Sequence, residues 1–232
     1  HRKLRAFAEK HGIIYVVDEV QSGMGRTGRF LAIENFGVDP DVVVLAKGLA
    51  SGLPLGAVVA KKKYMTWKAG THGSTFGGNP LACEASLATL DLLENGLMAN
   101  AARMGARPLA NLKKLQKEFP IVGDVRGMGL MAGVELVKDK KTKEPAKKLR
   151  DALVHGCFER GLLTLGCGRC ATRFMPPLML PQKLADEALR QEHAQLSRHI
   201  EARTAELRAL NEELARAVAS RDEFLAAMSH EL

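Results

Sequence analysis

Two short apolar runs, each closed by a charged residue, constrain the fold of this 232-residue chain more than any other feature. Ile13 to Val17 is β-branched and aromatic throughout and ends at Asp18; Val42 to Ala46 repeats the pattern and ends at Lys47. Each run is too short for a helix and lacks the alternation of a strand with one wet face. Both are therefore expected as strands of a parallel sheet buried on its two faces. In open α/β sheets the carboxyl ends of the strands border the crevice where ligands bind, so Asp18 and Lys47 are expected to share one crevice. On position alone, a simple ion pair and a catalytic pair fit equally well. Glu19, the next residue along, points to the opposite face if the strand continues.

Gln21-Ser22-Gly23-Met24-Gly25-Arg26-Thr27-Gly28 separates the two runs. Its glycines let the main chain approach a ligand closely, and an ordinary connecting loop has the same composition. Phe30 to Phe36 reads as a short helix, Val38 to Asp41 as the turn into the second strand, and Leu55 to Ala60 as a third strand. His72 to Pro80 places hydroxyls and glycines ahead of a helix starting near Leu81, a segment equally suited to holding an anion and to plain capping. Apolar residues at helical spacing predict helices over Leu81 to Leu93 and Gly96 to Phe119. Beyond them, Val122 to Gly127 reads as the lead-in to a strand over Leu130 to Leu136. A charged hairpin, a helix over Ala146 to Arg160, a strand over Leu162 to Leu165, and a strand stopped by Pro176-Pro177 complete the pattern.

The segments DEVQSGMGRTG, AKG and GSTFGGNP, in this order and spacing, resemble the signature of the class III (omega-type) pyridoxal-phosphate aminotransferases, and the likeness spans Arg2 to Leu180. The resemblance implies an α/β chain: part of a fold type I large domain with a mostly parallel sheet over residues 1–95, then a linking helix and a small α+β domain over 96–181. It also implies pyridoxal 5'-phosphate as cofactor, with a small-molecule amine and a 2-oxo acid as substrates. Lys47 would be the catalytic amine, nucleophile toward the cofactor aldehyde and carrier of the substrate's α or ω proton, which requires a lowered proton affinity. Asp18 would keep the pyridine nitrogen protonated and Gln21 would approach the phenolic oxygen. Ser74 and Thr75 would reach the phosphate bound by a neighbouring subunit, implying a homodimer with shared sites. Arg173, in TRFMPP, would bind the substrate α-carboxylate, a task suited to a planar bidentate guanidinium.

The stretch GDVRGMGLMAGVELVKDKKTKEPA is similar to 4-aminobutyrate-type members, with acetylornithine- or ornithine-type transfer as the alternative. Three parts that the family carries upstream have no counterpart here: a glycine-serine phosphate cup, an aromatic residue stacked on the ring, and a glutamate that pairs with the substrate arginine. The chain alone is accordingly expected to be a weak or inactive transaminase.

From Gln182 onward there is neither glycine nor proline, and Leu196, Ile200, Leu207, Leu210, Leu214 and Val218 recur at three- and four-residue spacing. That is the pattern of a long helix or coiled coil over 182–232. The ending SRDEFLAAMSHEL resembles the phosphoacceptor box of sensor histidine kinases, which implies His230 as the phosphorylated residue. A second function follows as an alternative: a dimerising phosphoacceptor module with the transaminase part passive. Charge divides at the same point, with 7 Lys/Arg and 10 Asp/Glu in the tail of a chain whose formal net charge is +8.

The basic excess of the first part falls in surface contexts such as Lys61 to Lys63, and only 5% of residues are aromatic, so no nucleic-acid partner is expected. No apolar run approaches the roughly 18 residues of a membrane span, and a cytoplasmic location is the expectation. Cys167 and Cys170 form the one CxxC among four cysteines, too few ligands for zinc, and no metal is expected.

Overall fold

In the computed structural model, which describes residues 1–184, the two apolar runs become β1 (Val16–Asp18) and β2 (Val42–Leu45). They pair in parallel, with Asp18 level with Val44. β3 (Ala57–Ala60) adds antiparallel on the far side of β2, so the sheet is parallel where the two charged ends lie. Its core is Val17, Met24, Ile33, Val43, Leu45, Leu49 and Leu93.

Burial on both faces is not found. Val17 is buried but Val16 is 52% exposed, and Ile13, Ile14, Val58 and Val59 are exposed as well. The buried side chains of β1 and β2, Val17, Val43 and Leu45, share one face, while Val58 and Val59 leave β3 exposed on both. Helix α1 (Arg2–Lys10) follows the same rule, burying Ala8 and leaving Leu4 and Phe7 exposed.

The amino end of the parallel pair is pinned by Asp41. Its buried carboxylate accepts hydrogen bonds from the Tyr15 N–H at 3.0 Å and the Arg5 guanidinium at 2.6 Å, with the Lys61 ammonium 3.4 Å away. The Tyr15 amide first, then Arg5 and Lys61, hold this carboxyl well below the usual carboxylate range. Because the folded value lies below the unfolded one, the stabilisation is complete above the ordinary aspartate range near pH 4. It is lost as pH falls through that range toward the folded value. Asp41→Asn is expected to lower Tm at pH 7 and to flatten the fall of Tm between about pH 5 and pH 2. An acid profile identical to that of the unsubstituted protein would contradict this role.

Asn79 opens α2 (Pro80–Leu92), which runs through a wide, kinked turn at Asn95 and Gly96 into α3 (Met98–Glu118). A second, antiparallel sheet follows, in the order β4 (Val122–Met128), β5 (Met131–Leu136), β7 (Ala171–Phe174), β6 (Leu165–Cys167), with α3 and α4 (Lys147–Glu159) packed on it. β4 was expected only as a lead-in. Two glycines and an aspartate lower its strand propensity, yet the sheet requires them. A Cβ at Gly123 would come within 2.6 Å of Val137, and one at Gly127 within 2.4 Å of the Met131 carbonyl. β6 begins at Leu165 rather than Leu162, where its pairing with Arg173 begins.

Among the described residues no helix is long and apolar enough to cross a membrane, and no group of three or more His, Cys, Asp or Glu could hold a metal ion. The expected tail helix and His230 lie outside the described residues.

Candidate active site

Because β1 and β2 are parallel neighbours, their carboxyl ends share one edge of the sheet. Asp18 closes β1, and its carboxylate accepts the Val20 N–H at 3.0 Å, which fixes the side chain over the turn that follows. Lys47 comes two residues after β2, at the start of a 3₁₀ turn (Lys47–Ala50), with φ +45. That left-handed backbone costs a residue with a Cβ about 1–2 kcal/mol, and such strain concentrates where a side chain must be aimed. Gly48 beside it packs on Met24, where a Cβ would come within 3.2 Å. Both Asp18 and Lys47 are exposed, so the burial expected around the lysine is not supplied by the described residues.

Gln21 and Arg173, 152 residues apart in sequence, meet directly. The Arg173 guanidinium on β7 donates to the Gln21 carboxamide oxygen at 2.6 Å. Further ties bind the glycine-rich loop to the second sheet: the Arg26 guanidinium donates to the Pro176 carbonyl, and the Leu130 N–H donates to the Arg26 carbonyl at 3.0 Å. The loop's glycines suited either close approach to a ligand or an ordinary connection, and two of them make room for protein: a Cβ at Gly25 would strike Leu93 at 2.7 Å, and one at Gly28 would strike Ala102 at 2.8 Å.

Glu19 is the residue that sequence reasoning passed over. It is 3% exposed, and its carboxylate accepts from Ser22 Oγ at 2.7 Å, the Ala32 N–H at 3.1 Å and the Ile33 N–H at 2.8 Å. One buried anion thus sets the exit of β1, the loop and the following 3₁₀ turn (Ala32–Phe36). The spacing Glu-x-x-Ser after an apolar strand is the local signal for it. Glu19→Ala leaves three donors unpaired. It is expected to cost about 3 kcal/mol, read as a fall in Tm of about 6–12 °C; a shift under about 2 °C would show that the loop holds its shape without it.

Ser74 and Thr75 lie in an exposed segment. Asn79 does the capping there, its carboxamide oxygen accepting the Ala82 N–H at 2.9 Å and its NH₂ donating to the Phe76 carbonyl at 2.9 Å. Ser74 Oγ accepts the Gly77 N–H at 3.1 Å. No hydrogen bond joins either hydroxyl to Asp18 or Lys47 among the described residues.

Residues 1–196 match the family described as aminotransferase class-III. The isoleucine 2-epimerase of Lentilactobacillus buchneri is 42% identical over 186 residues, which cover 79% of this chain and 41% of that protein. The acetylornithine aminotransferase of Gloeobacter violaceus is 43% identical over 190 residues, covering 81% and 45%. The solved structure of a thermostable (S)-enantioselective omega-transaminase from Thermomicrobium roseum superposes with a TM-score of 0.74 at 38% identity, covering 84% of this chain and 45% of that one. The chain spans less than half the length of these relatives. With the motifs in family order and the fold superposing on a family member, the chain belongs to the class III aminotransferases, whose cofactor is pyridoxal 5'-phosphate.

Proposed function

We propose that this chain is the lysine-bearing portion of a cytoplasmic, homodimeric aminotransferase that moves an amino group from an ω-amino acid such as 4-aminobutyrate to a 2-oxo acid. The observation that carries the reading is the placement of Asp18 and Lys47 at the carboxyl edge of two adjacent parallel strands, the lysine on a left-handed backbone. These groups fit the ring of pyridoxal 5'-phosphate in donor type: an amine for the aldehyde and a carboxylate for the pyridinium N–H. When bound, the ring supplies a sink for the electron pair left as a proton departs the substrate carbon next to nitrogen.

The residues of this chain do the rest. Lys47 Nζ would hold the cofactor aldehyde and would take up the proton that leaves the substrate carbon. Asp18 holds a proton on the pyridine nitrogen. Gln21 has its carboxamide oxygen engaged by Arg173, which leaves its NH₂ to donate to the phenolic oxygen. Arg173 takes the substrate carboxylate in bidentate fashion, and Gln21 keeps its guanidinium in place between substrates. Ser74 and Thr75 serve the phosphate of a neighbouring subunit. The support for that assembly is the exposed apolar rim beside them, where Phe76 and Leu81 are 72% and 69% exposed.

Single-turnover incubation with pyridoxal phosphate and 4-aminobutyrate, scored as pyridoxamine phosphate formed, is expected to give slow conversion that Lys47→Ala abolishes. Conversion that survives Lys47→Ala would sink the assignment. Acetylornithine or ornithine as the better donor would move the substrate class. Loss of optical purity in an α-amino acid without amine transfer would favour the epimerase chemistry named for the Lentilactobacillus relative. The tail motif ending at His230 supports a second reading, a histidine-kinase-like phosphoacceptor helix, and phosphate transfer to His230 from an added kinase domain tests it.

A further inference from the structure

The CxxC pair stands outside the site described above. Cys167 ends β6 and pairs with Ala171, the first residue of β7, so only Gly168, Arg169 and Cys170 form the turn between the strands. Gly168 takes φ +54, which folds the turn tightly. Both cysteines border one cleft. Residues three apart in so short a turn fall within the Cα separation that a disulfide bridges, about 4.4–6.8 Å. The turn is also fixed in place, because the Cys170 carbonyl accepts the Leu136 N–H of β5 at 3.0 Å.

The two sulfurs differ in access. Cys167 is half-buried, whereas Cys170 is 3% exposed. Lys143 and Arg169 line the same cleft with Glu144 and with Arg126, whose guanidinium is paired with Asp124 and Glu135, so the wall carries a slight excess of positive charge toward an anionic small molecule. No third or fourth ligand accompanies the pair among the described residues, which sets a dithiol apart from a metal site.

We propose that Cys167 and Cys170 form a reversible disulfide, with a small anionic disulfide of the glutathione class as oxidant. The Cys167 thiolate attacks one sulfur of the small disulfide, breaking its S–S bond and releasing one thiolate, which takes up a proton. The Cys170 thiolate then attacks the Cys167 sulfur of the mixed disulfide and releases the second small thiol. Two electrons and two protons leave the protein, and one small disulfide becomes two thiols. Cys167 is the entering sulfur because it is the accessible one, and Cys170 resolves. The ring closed is short, so the bridge adds little stability and is readily reduced again. It locks the turn from which β7 runs to Arg173, three residues on.

The test is mass mapping of the full-length protein after equilibration with oxidised glutathione. The expected product is a Cys167–Cys170 linkage lighter by two hydrogens than the dithiol and restored by dithiothreitol. In Cys170→Ser, glutathione is expected to accumulate on Cys167; in Cys167→Ser, Cys170 is expected to stay unmodified while the protein is folded. Two free thiols after equilibration overturn the proposal, as does a glutathione adduct that persists on Cys167 of the unsubstituted protein. Modification of Cys170 in folded Cys167→Ser at the rate seen for Cys167 overturns the order of attack.

Discussion

Borohydride treatment after incubation with pyridoxal phosphate is expected to fix the label on Lys47 at least tenfold above any other lysine, and Lys47→Ala is expected to lose it. The expectation rests on backbone geometry as much as on motif. Lys47 is held at φ +45 two residues past β2, and the exposed Lys143 shares that backbone conformation at φ +55, so it is the position beside the end of β1 together with the backbone that singles out Lys47. The left-handed backbone at Lys47 costs about 1–2 kcal/mol. That yields a second, independent readout. Lys47→Gly removes the side chain and the strain together, so it is expected to abolish the label while raising stability by about 0.5–1 kcal/mol relative to Lys47→Ala. Asp18→Asn leaves the lysine in place and is expected to weaken retention of the unreduced cofactor. Label spread evenly over Lys47, Lys61, Lys62 and Lys63, or a Lys47→Gly variant less stable than Lys47→Ala, would remove the case for this lysine.

The apolar runs before Asp18 and Lys47 were legible as strands because they are too short for a helix and rich in β-branched residues, and their parallel pairing put both ends on one edge as expected. The helices were legible through spacing, to within two residues at most ends. What escaped has a common physical origin in contacts that sequence neighbours do not encode. β4 was hidden because Gly123 and Gly127 answer to Val137 and Met131 across a hairpin rather than to local propensity. The exposure of Val16 and Val58 depends on what packs over them, which an apolar run cannot state. Glu19 was read as facing away from Asp18; its role at the entry to the 3₁₀ turn becomes visible only once the Ala32 and Ile33 amides are brought to it. The Gln21–Arg173 contact joins residues 152 apart, each singled out by a different motif, and no periodicity reaches across that distance.

Gly105→Ala is expected to destabilise the chain by at least about 3 kcal/mol, or about 6–12 °C in Tm. Gly105 lies on α3 with its backbone against the turn between β4 and β5; a Cβ there would sit 1.8 Å from the Gly129 carbonyl oxygen and 2.1 Å from its carbon. Neither neighbour can yield. Gly129 holds φ +52, and its own Cβ position is 2.6 Å from the Thr27 carbonyl carbon, so the turn is pressed between the helix and the glycine-rich loop. Ala101, Met104 and Leu130 are buried together at the flanks. A close-packed interface of this kind transmits a displacement instead of absorbing it. Leu130 donates to the Arg26 carbonyl, and the loop that holds Arg26 also holds Gln21, so the shift is expected to loosen the Gln21–Arg173 contact. Gly133→Ala supplies the control: it sits in β5 opposite Arg126 and Arg173, with nothing within 4 Å of the added carbon, and is expected to change stability by less than about 0.5 kcal/mol. Equal effects from the two substitutions would mean that composition, and not this stacking of three main chains, accounts for the glycines.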